Sequence, residues 1–353
     1  MDRPDVIVSW LQNDYGQLGR PAEAIAHALV DAGLARRVAY VEPAVPSETP
    51  PVMNGRDERG LTVYELRGLV PSSTDVAAAV ISHTGLEEPV LLNFGVGEAS
   101  WWFQHGYAPF CSKTVLVTHD LLHAWPGMAS GRVTQMARIR RALVRSSDVV
   151  VGLSTGSIAD VDGAVYVGHG CDDVWTSPGV DAVVEPDDLA AIPHPRALYL
   201  GALSVRVEAA ALRAVADDGI SVVLLGFSPS PEIAALIDEH PNVYFLGPRP
   251  PAESPPYLLY CDVGIVPHTD EPFTRSMEPH KLYNYACAGL PAVTLHCVCP
   301  PALAEHVTAT EECGSFVEAT RAAIARGRLS ADAVSEARTH TWTVVARRIL
   351  ATT

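Results

Sequence analysis

The sequence predicts an α/β protein built from two doubly wound domains in series. Three observations carry this. Short β-branched apolar runs of strand length recur along the chain, with helical patterns between many of them. The runs barely alternate in polarity, as expected of strands covered on both faces. The length, 353 residues, exceeds one ordinary core but suits two.

In the first half the strand runs fall at 5–10, 37–41, 61–66, 89–93, 113–118, 148–153 and 164–167, with helical stretches at 21–31 and 134–145. Pro21 suits a first helical turn, where its missing N–H costs nothing. In the second half strands are expected at 196–200, 221–225, 242–246, 262–266 and 292–295. Helices are expected at 207–216, 231–239, 279–288 and 316–325. Serial βαβ arrays imply two parallel sheets. The expected division is a first domain over 1–175, a Pro- and Asp-rich linker over 176–195, a second domain over 196–330 and a tail over 331–353. The tail reads as one helix with Val334, Ala337, Trp342, Val345 and Ile349 near one face, able to cross back onto the first domain.

Nearly half the residues are apolar, enough for two interiors. No apolar run reaches the roughly 18–20 residues of a membrane span. The opening, Met1-Asp2-Arg3-Pro4-Asp5, lacks the basic region and long apolar stretch of a signal peptide. Seven scattered cysteines read as reduced thiols, and the expected location is the cytoplasm. The formal charge of −16 disfavours nucleic-acid binding and an electrostatic membrane anchor. It leaves room for a local cationic pocket and for peripheral membrane contact.

Ligands of open α/β domains sit beyond the carboxyl ends of strands, here expected to face a cleft. The stretch EPHKLYNYACAGLPAVT, residues 278–294, has Pro279 in a first helical turn, Gly289 past the end and Pro291 as the stop. Its free N–H groups lie near Glu278, His280, Lys281 and Leu282, and a lysine at a helix start suits a phosphate. A solvated surface helix is the plainer alternative. Gly201 ends one strand and lets backbone approach a diphosphate, with Arg206 at a helix start beside it. Gly247, Pro248 and Arg249 end the next strand and could line a flat base; His268 ends another.

In the first domain Gly16, Gly19 and Arg20 lie in a loop without dinucleotide or P-loop spacing, so a redox cofactor or ATP cradle is not supported there. Thr118-His119-Asp120 ends a strong strand, with His123 just beyond. His119 and Asp120 suit general-base work or hydroxyl positioning; a packed histidine is the alternative. Trp101-Trp102-Phe103 reads as a loop that stacks on sugar or lipid, or as partial core. His296-Cys297-Val298-Cys299 has poor zinc spacing.

VLVTHDLLH, VGHGCDDVW, RALYLGALSVR, NVYFLGPRPPAESPPYLLYCDVGIVPH and EPHKLYNYACAGLPAVT, with the opening GRPAEAIAHALVDAGLARRVAYVEP and the closing HTWTVVARRIL, resemble GT-B glycosyltransferases. The likeness is to glycosyltransferase family 4 and the teichuronic-acid and glucuronosyltransferase-like group. It spans nearly the whole chain. The resemblance implies a UDP- or GDP-linked nucleotide sugar held mainly by the second domain and an acceptor, whether glycan, lipid-linked or small molecule, held mainly by the first. Lys281, Arg206 and Gly201 would then hold the diphosphate, 247–249 the base and His119 the donor sugar, with Asp120 as base in an inverting reaction. No metal or other cofactor is implied. Where family 4 carries two glutamates eight residues apart, this chain has Ser276 and Asn284. Asn284 could still bond ribose, and Glu278 could take over a sugar contact. The rivals are a catalytically silent nucleotide- or glycan-binding protein, which the missing glutamates favour slightly, and a sugar-nucleotide epimerase, which would convert donor without acceptor.

Overall fold

The computed structural model describes residues 3–10, 21–45, 52–67, 73–95 and 97–353. Two compact units emerge: Met1–Gly168 together with Trp342–Thr353, and His169–Thr341.

Unit 1 runs β1 (Val6–Ser9), α1 (Pro21–Asp31), β2 (Val38–Val45), β3 (Val52–Glu58), β4 (Leu61–Arg67), α2 (Thr74–Thr84), β5 (Val90–Asn93), α3 (Glu98–Tyr107), β6 (Lys113–Thr118), α4 (Ser130–Ser146), β7 (Val149–Gly152), α5 (Thr155–Ile158) and β8 (Val165–Tyr166). The strands form one sheet, ordered β3-β4-β2-β1-β5-β6-β7-β8. Every neighbour pair is parallel except β3 with β4. Successive residues of β1 feed opposite faces: Val6 and Val8 join the core under α1, and Ile7 joins the core under α2 and α3. That double burial is why these runs are continuous rather than alternating.

Unit 2 runs α6 (Asp187–Ala190), β9 (Arg196–Ala202), α7 (Ala209–Asp217), β10 (Ser221–Phe227), α8 (Pro231–Glu239), β11 (Val243–Phe245), α9 (Pro255–Leu259), β12 (Val263–Pro267), α10 (Pro272–Ser276), α11 (Lys281–Cys287), β13 (Ala292–Leu295), β14 (Val307–Thr310), α12 (Cys313–Arg326) and α13 (Ala331–Ala337). Its sheet is wholly parallel, ordered β11-β10-β9-β12-β13-β14.

Several expectations need correction. The stretch 176–195 is no linker but part of unit 2. Val180, Leu189 and Ile192 are buried in that unit's core. Three of its acids are each claimed by a distant arginine: Asp181 by Arg338, Glu185 by Arg196 and Asp188 by Arg249. The tail is two helices, α13 in unit 2 and α14 (Trp342–Leu350) in unit 1. The break falls where the His340 carbonyl accepts the Cys171 N–H at 2.7 Å and Thr341 bridges Cys171, which takes that backbone out of helix. The crossing back itself is real: Trp342, Val345, Ala346 and Ile349 are buried in unit 1's core with α1. Trp101-Trp102-Phe103 lies on helix α3, not in a loop; Phe103 is buried and Trp102 is 49% exposed. β3 is a polar antiparallel edge strand and shows no apolar run to read.

Candidate functional site

In unit 2 the strand order reverses between β9 and β12, the place where doubly wound sheets open a crevice. The two strands pair only through Ala197 with Val263 and Leu198 with Gly264, and then part. Tyr285 of α11 occupies the gap. Its hydroxyl donates to the Leu198 carbonyl and accepts from the Leu200 N–H, both at 3.0 Å, so the parted backbone is not left unsatisfied. Gly264 is required beneath it, because a Cβ there would lie 2.4 Å from the Tyr285 ring.

Past this point β9 turns at Gly201, whose φ of +123° suits glycine. A Cβ at Gly201 would meet the Lys281 Nζ at 3.4 Å, so the ammonium faces bare backbone. Lys281 also lies over the Tyr199 ring, its Nζ 4.1 Å from the centroid. The residue as a whole is partly exposed. Its charged end is enclosed, however: burial first, and the Arg206 charge second, pull its pKa down to about 7. Among the described residues no carboxylate pairs with it.

The loop after β9 is laced to the loop after β12. The Glu208 N–H donates to the Pro267 carbonyl and the Thr269 N–H to the Arg206 carbonyl, both at 2.9 Å. This holds Arg206 three residues before α7, not at its start; its guanidinium contacts the Ser204 hydroxyl at 3.2 Å and lies 5.7 Å over Phe273. His268 lies just beyond β12 and is 1% exposed, with a buried Nδ1 that has no hydrogen-bond partner. Burial, then the charges of Lys281 and Arg206, hold His268 well below its usual pKa, hence neutral. Lysine, arginine and imidazole thus converge on one strand edge, an arrangement that receives an anion.

In unit 1 the carboxyl ends of adjacent strands β1, β5 and β6 carry Trp10, Phe94 and His119. The Trp10 ring centre lies 5.0 Å from His119 and 6.3 Å from Phe94. The His119 Nε2 is 3.4 Å from the Asp120 Oδ2, and both side chains retain partial exposure. Gly16, Gly19 and Arg20 fall outside the described residues.

No protein-family profile matches the chain. A 53-residue segment is 40% identical to the putative teichuronic acid biosynthesis glycosyltransferase TuaH of Bacillus subtilis (strain 168); it covers 15% of this chain and 13% of that protein. Solved structures align over almost the full length. HepE of Anabaena, in complex with UDP and glucose, superposes with a TM-score of 0.68 at 15% identity, with 99% of each chain covered. The UDP-forming α,α-trehalose-phosphate synthase of Burkholderia xenovorans, in complex with glucose-6-phosphate, superposes with a TM-score of 0.65 at 11% identity, again with 99% of each chain covered. The fold is GT-B.

On this GT-B frame Gly201, Arg206, His268 and Lys281 gather at the crevice of unit 2, and the other expected donor residues make contacts within the unit. Helix α11 starts at Lys281 rather than Pro279. Pro279 and His280 form the preceding turn, their carbonyls accepting the Leu282 and Tyr283 N–H groups at 3.0 Å. Leu282 is a core residue, fully buried. Asn284 is bracketed by Asp172: its Oδ1 accepts the Asp172 N–H at 3.0 Å and its Nδ2 donates to Asp172 Oδ2 at 2.7 Å. Glu278 is buried and accepts the Tyr283 hydroxyl at 3.2 Å. Arg249 donates to Asp188 at 2.9 Å, to the Tyr257 hydroxyl at 3.1 Å and to the Leu246 carbonyl at 2.8 Å, so it fastens the loop holding Gly247 and Pro248 instead of reaching outward. Sequence reasoning missed Tyr199, Tyr285 and Asp172. The last two act through partners more than 80 positions away, which no local spacing reveals. Among the described residues no three His, Cys, Asp or Glu side chains gather as a metal site, and no helix is long and apolar enough to cross a membrane.

Proposed function

We propose that the chain is a glycosyltransferase related to family 4 and the teichuronic-acid group. In this reading it moves a sugar from a nucleoside-diphosphate donor to an acceptor hydroxyl. The observation that carries the reading is the convergence of basic groups at the switch point of unit 2: Lys281, Arg206 and His268 around the Gly201 turn, with no carboxylate paired to Lys281 among the described residues. The UDP named in the HepE and trehalose-phosphate synthase structures supports a uridine donor.

The acceptor oxygen forms a bond to the anomeric carbon as the bond from that carbon to the diphosphate breaks. The departing diphosphate gains negative charge. Lys281 and Arg206, already fixed in place, stabilise that charge without first reorganising. These fixed cations take the role of a divalent ion, so donor binding and turnover proceed without added metal. Unit 1 supplies the acceptor side, where His119 and Asp120 position the sugar or take the acceptor proton. Tyr285 and Gly264 hold the crevice open, and Asp172 with Asn284 steadies α11.

Calorimetric titration with UDP and with uridine tests the reading. Lys281→Ala should weaken UDP binding at least tenfold and leave uridine binding little changed. Equal loss for both ligands would make Lys281 a structural residue. A screen of nucleotides by thermal shift should find one that, at 100 times its Kd, stabilises the protein by about 2.7 kcal/mol. No shift with any nucleotide or nucleotide sugar would overturn the donor assignment.

A further inference from the structure

The formal charge of −16 is unevenly placed. Unit 1 holds 15 Lys and Arg against 18 Asp and Glu, and unit 2 holds 10 against 23, so −13 of the −16 belongs to unit 2. Within unit 1 the basic residues are again concentrated. Helix α4, SGRVTQMARIRRALVRS, carries five arginines and no acid. One of the five, Arg140, is buried and paired with Asp160 at 2.7 Å. The other four, Arg132, Arg138, Arg141 and Arg145, are exposed, and among the described residues none has a carboxylate partner. The helix dipole accounts for a cation in the last turn, where Arg145 lies, but not for Arg138 or Arg141.

Arg138, Arg141 and Arg145 stand three and four residues apart and therefore share one side of the helix. That side is turned from the sheet, since α4 buries Met136, Arg140 and Leu143. Beside it lies α3, joined through Trp101 and Ile139 in a shared apolar cluster and through Gln135, which donates to Glu98 at 3.2 Å. Helix α3 buries Ser100, Phe103, Gln104 and Tyr107, so Trp102, 49% exposed, also projects away from the sheet. The outward layer of two adjacent helices thus presents an arginine ridge with an indole next to it. The acid of α3, Glu98, is already hydrogen-bonded to Gln135.

We propose that the outward face of α3 and α4 is a docking surface for the anionic surface of a lipid bilayer, with Arg138, Arg141 and Arg145 on the headgroups and Trp102 in the interfacial layer. Indole is at home in that layer, with its ring among acyl carbons and its N–H among headgroups. Nucleic acid fits less well. A protein that grips a duplex through its backbone makes about 6–10 phosphate contacts, more than a ridge of three or four arginines supplies. A solvent-exposed indole would add little to contacts with a duplex backbone. At physiological salt the screening length is about 8 Å, so a surface in contact meets the local charge of the ridge rather than the summed charge of the chain. Docking here would bring unit 1, the acceptor side under the glycosyltransferase reading, to an acceptor carried in the membrane. The docking itself does not depend on that reading.

Vesicle co-sedimentation tests the proposal. The full chain should bind vesicles containing 30% phosphatidylglycerol and not vesicles of phosphatidylcholine alone, and binding should fall steeply between 0.1 and 0.5 M salt. Each basic residue near such a surface contributes roughly a fivefold gain in affinity. The triple variant R138Q/R141Q/R145Q should therefore lose about 100-fold. Trp102→Ala should lose less, and chiefly the part that survives high salt. The triple variant should still titrate with UDP as the parent does, so loss of lipid binding is separable from failure of the donor assignment. Equal binding to both vesicle types, an undiminished triple variant, or tighter capture by a 20-mer duplex than by vesicles would each overturn the proposal.

Discussion

Lys281 is one of only two lysines among the chain's 25 Lys and Arg residues. Arginine keeps its charge at any accessible pH, whereas a buried lysine can shed its proton. The groups facing Lys281 are Tyr199 on β9, Arg206 on the loop after it, His268 after β12 and Cys297 after β13. None is an acid at neutral pH: burial pushes the Cys297 thiol up to about 12 and raises the Tyr199 hydroxyl too. With its pKa at about 7, Lys281 is about half protonated at neutral pH. A diphosphate favours the charged form and returns the pKa toward its ordinary value. Binding above pH 7 therefore takes up a proton. Affinity is accordingly highest where Lys281 is already protonated, at and below about pH 7, and falls as pH rises, by up to tenfold per unit. Between pH 7 and 9 the loss should be about 50-fold, or roughly 2.3 kcal/mol at 1.36 kcal/mol per unit. The last phosphate proton of UDP, with a pKa of roughly 6, is mostly gone by pH 7 and would strengthen binding as pH rises, opposite to the fall expected from Lys281; uridine titrated in parallel accounts for the uracil N–H, which begins to ionise towards pH 9. Calorimetry in HEPES and in Tris gives the uptake directly from the difference in heat, and it should approach one proton by pH 9. Lys281→Met should bind more weakly, with a flat pH profile and no uptake. Unchanged affinity from pH 7 to 9 with identical heats in both buffers would refute the reasoning. Uptake that survives in Lys281→Met and disappears in His268→Gln would refute it as well, because the proton would then belong to the imidazole.

His119→Ala and Asp120→Asn should leave UDP affinity intact and lower turnover, by roughly 10²–10⁴-fold for whichever acts as general base; near-normal turnover in both folded variants would make the segment a packing feature. Donor binding and turnover should persist in EDTA, and activity lost to chelation and restored by magnesium or manganese would contradict the role given to Lys281 and Arg206. Tyr285→Phe strands the Leu198 carbonyl and Leu200 N–H and should cost about 1–3 kcal/mol in urea unfolding; an unchanged midpoint would mean the gap between β9 and β12 has another support. Trp342→Ala should cost about 3–5 kcal/mol, as expected for a large side chain removed from a core, and a loss below about 1 kcal/mol would show that α14 is dispensable to unit 1.

The sheets were legible because their strands are buried on both faces and leave uninterrupted apolar runs. Lys113–Thr118 and Ala292–Leu295 match to the residue. β3 was hidden for the converse reason: Val52–Glu58 is a polar edge strand that pairs with one neighbour. Helix α2 carries local signals at both ends, Ser73 capping the Asp75 N–H at 3.2 Å and Gly85 closing the helix, but its alanine-rich face is too weakly apolar to stand out. The basic half of the candidate site was legible from the residues around each strand end, since Gly201 and His268 stand at strand ends, Arg206 in the loop after β9 and Lys281 at a helix start. The residues that hold them there were not. Asp181, Glu185 and Asp188 make 176–195 look like a solvated linker until their arginine partners, up to 157 positions away, are known. The pairing of Asn284 with Asp172, 112 positions away, likewise leaves no local mark in the sequence.

The exchange of α14 into unit 1 bears on how the protein is made. A ribosome completes the eight strands of the first sheet long before it reaches Trp342, and α1 meanwhile lacks the helix that covers it. At roughly 5–20 residues per second, the stretch from His169 to Thr341 takes on the order of 10–35 s to synthesise. Unit 2, contiguous in sequence, can close its core within that interval, whereas unit 1 waits with apolar surface uncovered. The domain begun first is thus the domain finished last. A nascent chain halted just before Trp342 should expose a protease-sensitive first unit beside a resistant second one.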